Sequence, residues 1–141
     1  MTLTIRVYQP ELTNSQIARV NATGWDSVPE ASNYLNLTSF PKEDTVADKI
    51  AAAYALYRHT RTIHDVSGPD EVFAMTNDGG YDPRITCHRR AKSGSVGDVL
   101  IAGWGSDLTG WVCMSFGWHE LTQDQIKAFE CEVATTMVLA S

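Results

Sequence analysis

The stretch that decides the fold is SGSVGDVLIAGW (residues 93–104), followed closely by WVCMSF (residues 111–116). In the first stretch, Gly97 and Asp98 lead into consecutive apolar residues, a pattern typical of a short buried strand. Gly97 permits a backbone angle closed to other residues, and Asp98 can hydrogen-bond local backbone at the strand entrance. We expect residues 103–110 to form a turn and the second stretch to return as the partner strand of a hairpin.

The remaining strands are predicted at two places in the chain. Residues 3–8 alternate apolar and polar side chains, the period-two pattern of a half-buried first strand. Residues 71–77 are interpreted as a strand that precedes a turn at residues 78–80. Residues 84–92 form a polar, basic connector that fits either a strand or a loop. These segments predict a first strand followed by a three-stranded meander.

Helical signals alternate with the strands. A capping-box pattern of Thr13 and Gln16 opens a short helix over residues 15–22, and Pro29 lies near the start of another that reaches residue 35. The central helix is predicted to be long, because apolar residues recur at helical spacing and basic residues follow in its last turn. The apolar stripe is Val46, Ile50, Tyr54 and Tyr57, and the basic residues are Arg58, His59 and Arg61.

A second capping-box pattern, Thr122 with Gln125, begins a C-terminal helix. These elements predict the α+β class: a small antiparallel sheet of about four strands, packed with three or more helices that include a long central and a C-terminal one. A chain of 141 residues predicts a single domain over residues 1–141. The C-terminal helix has an apolar stripe of Ile126, Phe129, Val133, Met137 and Ala140.

Composition narrows the classes of protein. The formal net charge of −6 argues against a general DNA-binding protein, and the carboxylates are too scattered for a DNA mimic. No segment approaches the roughly 20 apolar residues of a membrane-spanning helix, so no membrane partner is expected. The N-terminus lacks the basic start and apolar core of a signal peptide. These observations predict a cytoplasmic protein, within the host cell if a phage encodes it.

The potential metal ligands and thiols favour structural roles. Cys87, Cys113 and Cys131 are widely spaced and form no CxxC pair, so we expect reduced, mostly buried cysteines. His59 and His64 are five residues apart, which on a helix turns them about 140° from each other. Metal-binding histidines on one helix face need a spacing of three or four. The sequence therefore predicts no metal and no cofactor.

One set of residues near the predicted hairpin could support catalysis. Cys113 and His119 could act as nucleophile and base, with Asp98 or Glu120 orienting the imidazole, in a cysteine-dependent hydrolase. The neighbourhood lacks any cysteine-hydrolase motif, and Cys113 falls in a predicted strand where a small buried side chain is ordinary. We therefore expect no catalytic residues and a protein that is not an enzyme.

The connector holds the concentrated positive charge of the chain. Clustered arginines recognise carboxylates and phosphates, and the glycines of residues 93–97 could cradle an anion with backbone N–H groups. A nucleotide-binding P-loop is not supported, because no GxxxxGK[ST] sequence is present. An anion or an acidic partner is one interpretation, and a solvated loop is the other. The residues concerned are Arg84, His88, Arg89, Arg90 and Lys92.

Three tryptophans fall in or beside the predicted hairpin: Trp104, Trp111 and Trp118. Packing across the hairpin is the default explanation for aromatic residues at such positions. If they are exposed, they form a binding surface instead, since Trp and Arg dominate interface hot spots. These tryptophans and the basic connector residues are the candidate binding set.

The segment over residues 72–129 resembles a module of small uncharacterised proteins of bacteriophages and mobile elements, particularly of actinobacteria. The shared pattern is a basic residue, Ser, any residue, SVGDV, apolar residues and then G-[FW], here Gly117-Trp118. The resemblance implies an accessory protein of a phage or mobile element. A second similarity is to PUA-like β-barrels, in which a VGD segment begins a barrel strand and some members bind RNA or modified bases.

These observations rank three functional hypotheses. The first is a non-enzymatic phage or mobile-element protein that binds a host protein or complex, with inhibition of a CRISPR or restriction system as one specific form. The second is a PUA-like domain that binds nucleic acid or a nucleotide through base stacking and phosphate contacts. The third is the cysteine-dependent hydrolase. Self-association as a homodimer through exposed helix faces is a further possibility that light scattering tests.

Overall fold

The computed structural model describes residues 2–39, 42–78 and 81–140. Gly79 and Gly80 of the predicted turn lie outside these residues. One-turn 3-10 helices occur at Trp25–Ser27 and Tyr54–Leu56. The elements are β1 (Leu3–Pro10), α1 (Asn14–Thr23), α2 (Pro29–Thr38), α3 (Val46–Ala52), β2 (Tyr57–Val66), α4 (Pro69–Asn77), β3 (Ile85–Cys87), β4 (Val99–Trp104), β5 (Asp107–Cys113), β6 (Trp118–Leu121) and α5 (Gln123–Ala140).

The strands form one antiparallel sheet in the order β3-β2-β1-β4-β5-β6. The predicted α+β class is confirmed, but the described residues contain six strands where about four were expected. The sheet is open, with β3 and β6 at its edges, so it does not have the closed barrel of the PUA-like alternative. No helix of the described chain has the length and apolar character needed to cross a membrane.

The long central helix was a wrong prediction. Helix α3 ends at Ala52, a 3-10 turn follows, and the chain continues as the ten-residue strand β2. The basic residues that were placed in a last helical turn therefore lie in this strand. From Tyr57 onward the sequence is rich in β-branched residues, which lose side-chain freedom in a helix and pack well on a sheet. Pairing with strands on both sides overrides the helical spacing upstream.

The segment 71–77 forms most of helix α4 and is not the strand that we predicted. Pro69 occupies its first turn, together with Asp70 and Glu71, the residue types that favour a helix N-terminus. Val72 and Thr76 are buried four residues apart, on one helical face. A short apolar run is compatible with either a strand or a buried helix. In this segment, the residues typical of a helix N-terminus favour the helix.

The predicted hairpin is confirmed, but its turn is shorter than the predicted turn of residues 103–110. Gly103 pairs with Leu108 and Trp104 with Asp107, so only residues 105 and 106 connect β4 to β5. Gly103 has a φ of +91°, and a Cβ there would collide with the Asp107 carbonyl oxygen. Glycine is therefore required at this position. Strand β6 then pairs with β5, which was not predicted.

Both predicted capping boxes are present. Gln16 N–H donates to Thr13 Oγ1, and Thr13 N–H to Gln16 Oε1. At the start of α5, Thr122 N–H donates to Gln125 Oε1 and Gln125 N–H to Thr122 Oγ1. Ile126, Phe129 and Val133 of the predicted stripe are buried, while the side chains of Met137 and Ala140 lie outside the described ones.

The sheet has two different faces. The face covered by α2, α3 and α5, here called the α5 face, buries Tyr8, Tyr57 and Phe129 in the larger apolar cluster. The opposite face, here called the α4 face, packs a smaller cluster around Val72 of that helix. Remaining members of the smaller cluster are Ile5, Val7, Ile63, Val66, Leu100 and Ala102. This division decides which side chains can form a site together.

Candidate functional site

The basic connector is tied to the sheet at Lys92. The Lys92 carbonyl oxygen accepts hydrogen bonds from Gln9 Nε2 at 3.1 Å and from Arg61 Nη2 at 2.7 Å. The Lys92 N–H donates to Gln9 Oε1 at 3.3 Å. Gln9 and Arg61 lie on the adjacent strands β1 and β2 and are almost fully buried. Gln9 and Arg61 therefore attach the connector backbone to the sheet, while the side chains of Arg90 and Lys92 are exposed.

A buried polar network continues beneath this attachment. Gln9 Nε2 donates to Asp98 Oδ2 at 3.0 Å, and Thr60 Oγ1 donates to Gln9 Oε1 at 3.1 Å. Burial raises the pKa of Asp98 to about 6, although its hydrogen bonds from Gln9 and the Ser95 N–H favour the ionised form. Among the described residues, Asp98 Oδ1 and Arg61 Nη1 are buried without a hydrogen-bond partner. The network is thus only partly satisfied.

The structural roles predicted for Gly97 and Asp98 are confirmed. Gly97 has a φ of +94°, and its carbonyl oxygen accepts a 2.5 Å hydrogen bond from the Tyr57 hydroxyl. Asp98 Oδ2 accepts from the Ser95 N–H at 3.0 Å, which closes the local turn before β4. A Cβ at Gly97 would lie 3.1 Å from Leu37 Cγ, tighter than ordinary contact. The SVGDV segment therefore fixes how the connector enters the sheet.

The structure does not gather the five basic candidates into one patch. Arg84 is bound to Asp82 and Glu71 near the start of β3. Arg89 pairs with Glu11 at 2.5 Å. His88 Nε2 lies 2.7 Å from Thr62 Oγ1 on strand β2.

Arg90 and Lys92 instead border a cleft of about 440 Å³ that we call the Trp25 cleft. It lies between the end of β1, the α1–α2 region and the connector. Its walls are mostly apolar, and Trp25 and Ile17 remain 43% and 44% exposed there. The lining residues are Gln9, Pro10, Glu11, Leu12, Ile17, Trp25, Tyr34, Arg90, Ala91 and Lys92.

The two cations of the Trp25 cleft differ in their freedom. Lys92 Nζ donates to the Pro10 carbonyl oxygen at 3.3 Å and to the Tyr34 hydroxyl at 3.2 Å, and it lies 5.2 Å from the centre of the Tyr34 ring. Arg90 is exposed and has no hydrogen bond or ion pair with any residue that the structure describes. Arg90 is therefore the guanidinium available to an incoming carboxylate.

The three candidate tryptophans are also separated. Trp104 is 67% exposed at the hairpin tip, with Arg6 Cζ 4.6 Å from its ring centre. Trp111 and Trp118 are half-buried against the α4-face cluster. Trp118 Nε1 donates to Asp70 Oδ1 at 2.9 Å, and its ring meets Phe73 edge-on. Packing, the default explanation, accounts for Trp111 and Trp118, and none of the three reaches the Trp25 cleft.

The nucleophile–base pair of the hydrolase hypothesis is not assembled. Cys113 pairs with Trp118 across β5 and β6, whereas His119 pairs with Val112, so their side chains leave opposite faces of the sheet. His119 Nδ1 instead lies 3.2 Å from Glu43 Oε1. Burial, with Asp98 nearby, raises the pKa of Cys113 to about 11. A thiol with that pKa is almost entirely protonated at neutral pH and is a poor nucleophile.

The cysteine prediction needs a correction. Cys113 is buried, but Cys87 and Cys131 are exposed, so the thiols are not mostly buried. All three are free thiols. No group of three or more His, Cys, Asp or Glu side chains able to hold a metal ion was found in the described part of the chain.

Sequence reasoning found Arg90 and Lys92 but missed the apolar walls of the cleft. Trp25 follows the glycine that ends α1, and Ile17 lies on that helix, whose buried side chain is Val20. Only the tertiary arrangement shows that neither side chain is covered.

Comparison with protein-family models, with curated proteins and with solved structures gave no match to this chain.

Proposed function

We propose that this chain is a non-enzymatic accessory protein of a phage or mobile element, which binds a host protein through the Trp25 cleft. The observation that carries the proposal is an apolar cleft in which exposed Trp25 and Ile17 adjoin the unpaired guanidinium of Arg90. The occupant is a segment of the host protein with an apolar side chain next to a carboxylate.

The apolar part of the cleft supplies the affinity in this proposal. Trp25 and Ile17 leave a large part of their surface in water, and burial against a partner stabilises by about 25 cal/mol per Å². Tryptophan and arginine are the residues most enriched among interface hot spots. A volume of about 440 Å³ accommodates one or two large side chains of a partner segment.

The charges favour a protein partner over a nucleic acid. The ion pairs of Arg84 and Arg89 neutralise two of the connector cations. The chain as a whole carries a formal charge of −6, which repels a polyphosphate. One free arginine suits a single carboxylate, whereas a nucleic-acid surface needs several cations along the backbone. Inhibition of a CRISPR or restriction complex remains the specific form that we propose for this activity.

The test is affinity capture from a bacterial host lysate with three versions of the full chain. Wild type and Trp104→Ala should enrich the same partner, because Trp104 is exposed but far from the cleft lining. Trp25→Ala should lose that partner, with at least about tenfold weaker binding in titration with the purified protein, as expected for a hot-spot residue. Equal enrichment by Trp25→Ala would overturn the assignment of the cleft.

The chemistry of the occupant is tested with peptides from the captured partner. Arg90→Glu should weaken binding of a peptide with an acidic residue, and replacing that residue by its amide should remove most of the difference. Lys42→Glu is the matched control, since Lys42 is exposed and does not line the cleft. Binding that Arg90→Glu leaves unchanged, or that a single-stranded oligonucleotide displaces, would count against the proposal.

A further inference from the structure

A β-bulge in strand β2 brings two polar side chains to one face of the sheet. Neighbouring residues of β1 pair with Arg61 and with His59, so Thr60 is an extra residue in β2. In a regular strand, His59 and Thr62 would project from opposite faces, because they are three residues apart. The extra residue places them on the same face, where His59 Nε2 lies 3.1 Å from Thr62 Oγ1.

The edge of the sheet supplies a second imidazole to the same hydroxyl group. His88 follows β3, and its Nε2 lies 2.7 Å from Thr62 Oγ1. The centres of the His59 and His88 rings are 4.4 Å apart, with a 55° angle between their planes. The Thr62 hydroxyl therefore lies between two imidazoles and is within hydrogen-bond distance of both. We call His59, Thr62 and His88 the Thr62 cluster.

The hydrogen bonds of the Thr62 cluster depend on how many protons the two rings carry. A hydroxyl group has one hydrogen to donate, and a protonated imidazole donates from both of its nitrogens. When the pair carries at most one extra proton, one ring donates to Thr62 Oγ1 and the Thr62 hydroxyl donates to the other ring. When both rings are protonated, each presents an N–H group to Thr62, and the hydroxyl hydrogen loses its acceptor within the cluster.

The electrostatic surroundings also oppose a second proton. Burial is the main cause that lowers the pKa of His59, and the neighbouring His88 and Arg6 lower it further, while a hydrogen bond with the backbone raises it. Arg6 is itself paired with Glu130 of α5. Tyr8 stacks on the His59 ring and adds no charge at neutral pH, because burial raises its pKa. His59 therefore favours the neutral form, and the first proton belongs to the exposed ring of His88.

We propose that the Thr62 cluster is a pH-dependent attachment of the connector, which holds His88 against β2 while the two imidazoles share at most one proton and releases His88 when both are protonated. His88 is exposed and follows an edge strand of three residues, so its side chain can leave without disturbing the core. His59 is half-buried and stays beside Tyr8. The hydrogen bond from the His88 N–H to the Thr60 carbonyl oxygen, 2.9 Å long, does not depend on this side chain.

Release changes how the connector is attached to the sheet. The Thr62 cluster lies on the α5 face with Tyr8, whereas Gln9 and Arg61 hold the Lys92 backbone from the α4 face. The connector is therefore attached at both of its ends, from opposite faces. Acidification should loosen residues 88–90 and leave Lys92 in place.

The test is an NMR titration of the full chain from about pH 8 to about pH 4.5, in which imidazole and backbone amide signals are followed together. It is carried out in an Asp98→Asn background, because Asp98 has a pKa of about 6 and its carboxylate binds the Ser95 N–H close to the connector. The chain has four histidines, so His64 and His119 provide internal comparisons.

We expect His59 and His88 to titrate as a coupled pair, so that each ring reports the protonation of the other. The amide signals of residues 88–90 should shift with the second proton. Their hydrogen exchange, corrected for its intrinsic pH dependence, should become at least about threefold faster, as expected when one hydrogen bond is lost. His88→Gln should abolish this response and raise the pKa of His59, because the neighbouring imidazole is absent.

A second variant removes the hydroxyl and keeps both rings. Thr62→Val should give residues 88–90 the faster exchange already at neutral pH, because valine cannot hydrogen-bond to either imidazole. Thr4→Val is the matched control, since the Thr4 hydroxyl contacts His64 outside the cluster (Oγ1 to Nδ1, 3.4 Å). It should leave the exchange of residues 88–90 unchanged.

Three results would each overturn the proposal: independent titration of the two rings, a pH response of residues 88–90 that persists in His88→Gln, or unchanged exchange in Thr62→Val. His88 is exposed, so its variant should fold and decides the question even where Thr62→Val does not fold.

Discussion

The two faces of the sheet differ in the polarity of the side chains that they bury. Around Phe129 the α5 face is apolar, with the rings of Tyr8 and Tyr57 at centre-to-centre distances of 5.2 and 4.9 Å. The α4 face is apolar under α4 but becomes polar toward the connector, where Gln9 and Asp98 are buried. Apolar burial is non-directional and supplies stability, whereas buried hydrogen bonds fix geometry at a smaller net gain.

This difference indicates a division of labour within a small protein. The α5 face supplies most of the stability, and the polar end of the α4 face fixes the position of the connector that carries Arg90 and Lys92. Four substitutions test that division, and they follow in order of expected effect.

Phe129→Ala should lower the free energy of unfolding by about 3–5 kcal/mol, because it leaves a cavity among three aromatic rings. Urea denaturation measures it. Phe116→Ala is the matched control, since Phe116 is 97% exposed and should change stability by less than about 0.5 kcal/mol. A loss below about 1 kcal/mol for Phe129→Ala would remove the contrast between the faces.

Gln9→Ala should cost about 2–3 kcal/mol, because it removes buried hydrogen bonds to Lys92, Asp98 and Thr60. It should also speed amide hydrogen exchange in the connector and tryptic cleavage after Arg90. The control is Gln16→Ala, which removes a capping contact to Thr13 at an exposed helix end. If both variants leave the connector equally protected, Gln9 does not hold it.

Asp98→Asn tests whether the buried negative charge of Asp98 stabilises or destabilises the folded state. The pKa of Asp98 is about 6, above its ordinary value of 3.8, so the folded state binds the proton more tightly than the unfolded state. Its contribution to stability is therefore full below about pH 4 and is lost as the pH rises through about 6. Asparagine can place its amide oxygen where Oδ2 accepts from Gln9 and Ser95.

We therefore expect Asp98→Asn to be more stable than wild type at pH 7.5 by roughly 2 kcal/mol, with the gap shrinking toward pH 4. Urea denaturation at several pH values measures the gap, and exposed Asp26→Asn should leave the wild-type profile unchanged. A variant less stable than wild type at pH 7.5 would show that the ionised carboxylate is needed.

Arg89→Ala should have the smallest effect, a loss of roughly 0.2–1 kcal/mol. Its ion pair with Glu11 lies in solvent, where side-chain entropy and screening offset most of the attraction. Comparison with Arg19→Ala, which removes the exposed pair with Glu30, should give a similar value. A loss near that of Gln9→Ala would mean that the connector is held from its outer side as well.

Local signals in the sequence predicted the elements that depend on local chemistry. The strand entered through Gly97 and Asp98, both capping boxes and the stripe of α5 are set by neighbouring residues. Strand β2 was missed because its strand state depends on pairing with β1 and β3, which local spacing cannot show. Helix α4 was missed because its N-terminal signals were outweighed by a short apolar run.

In the candidate site, too, some features can be predicted from the sequence and others depend on the fold. Clustered positive charge is visible in sequence, and it led to Arg90 and Lys92. Arg84 pairs with Glu71 and Arg89 pairs with Glu11, and in both cases the fold brings together residues that are distant in sequence. Trp25 and Ile17 are exposed because no other part of the fold covers them, and this depends on the whole tertiary structure.

The order of strands has a consequence for how the chain folds as it is made. Strand β1 is translated first but lies between β2 and β4 in the sheet, and β4 begins only at Val99. At about 5–20 residues per second, β1 waits roughly 5–20 s for its second partner. Once β2 has been translated, the pair of β1 and β2 has an open edge on β1 next to Ile5 and Val7 until β4 is made. A nascent chain stalled before Val99 should therefore be the form most prone to aggregate or to recruit a chaperone.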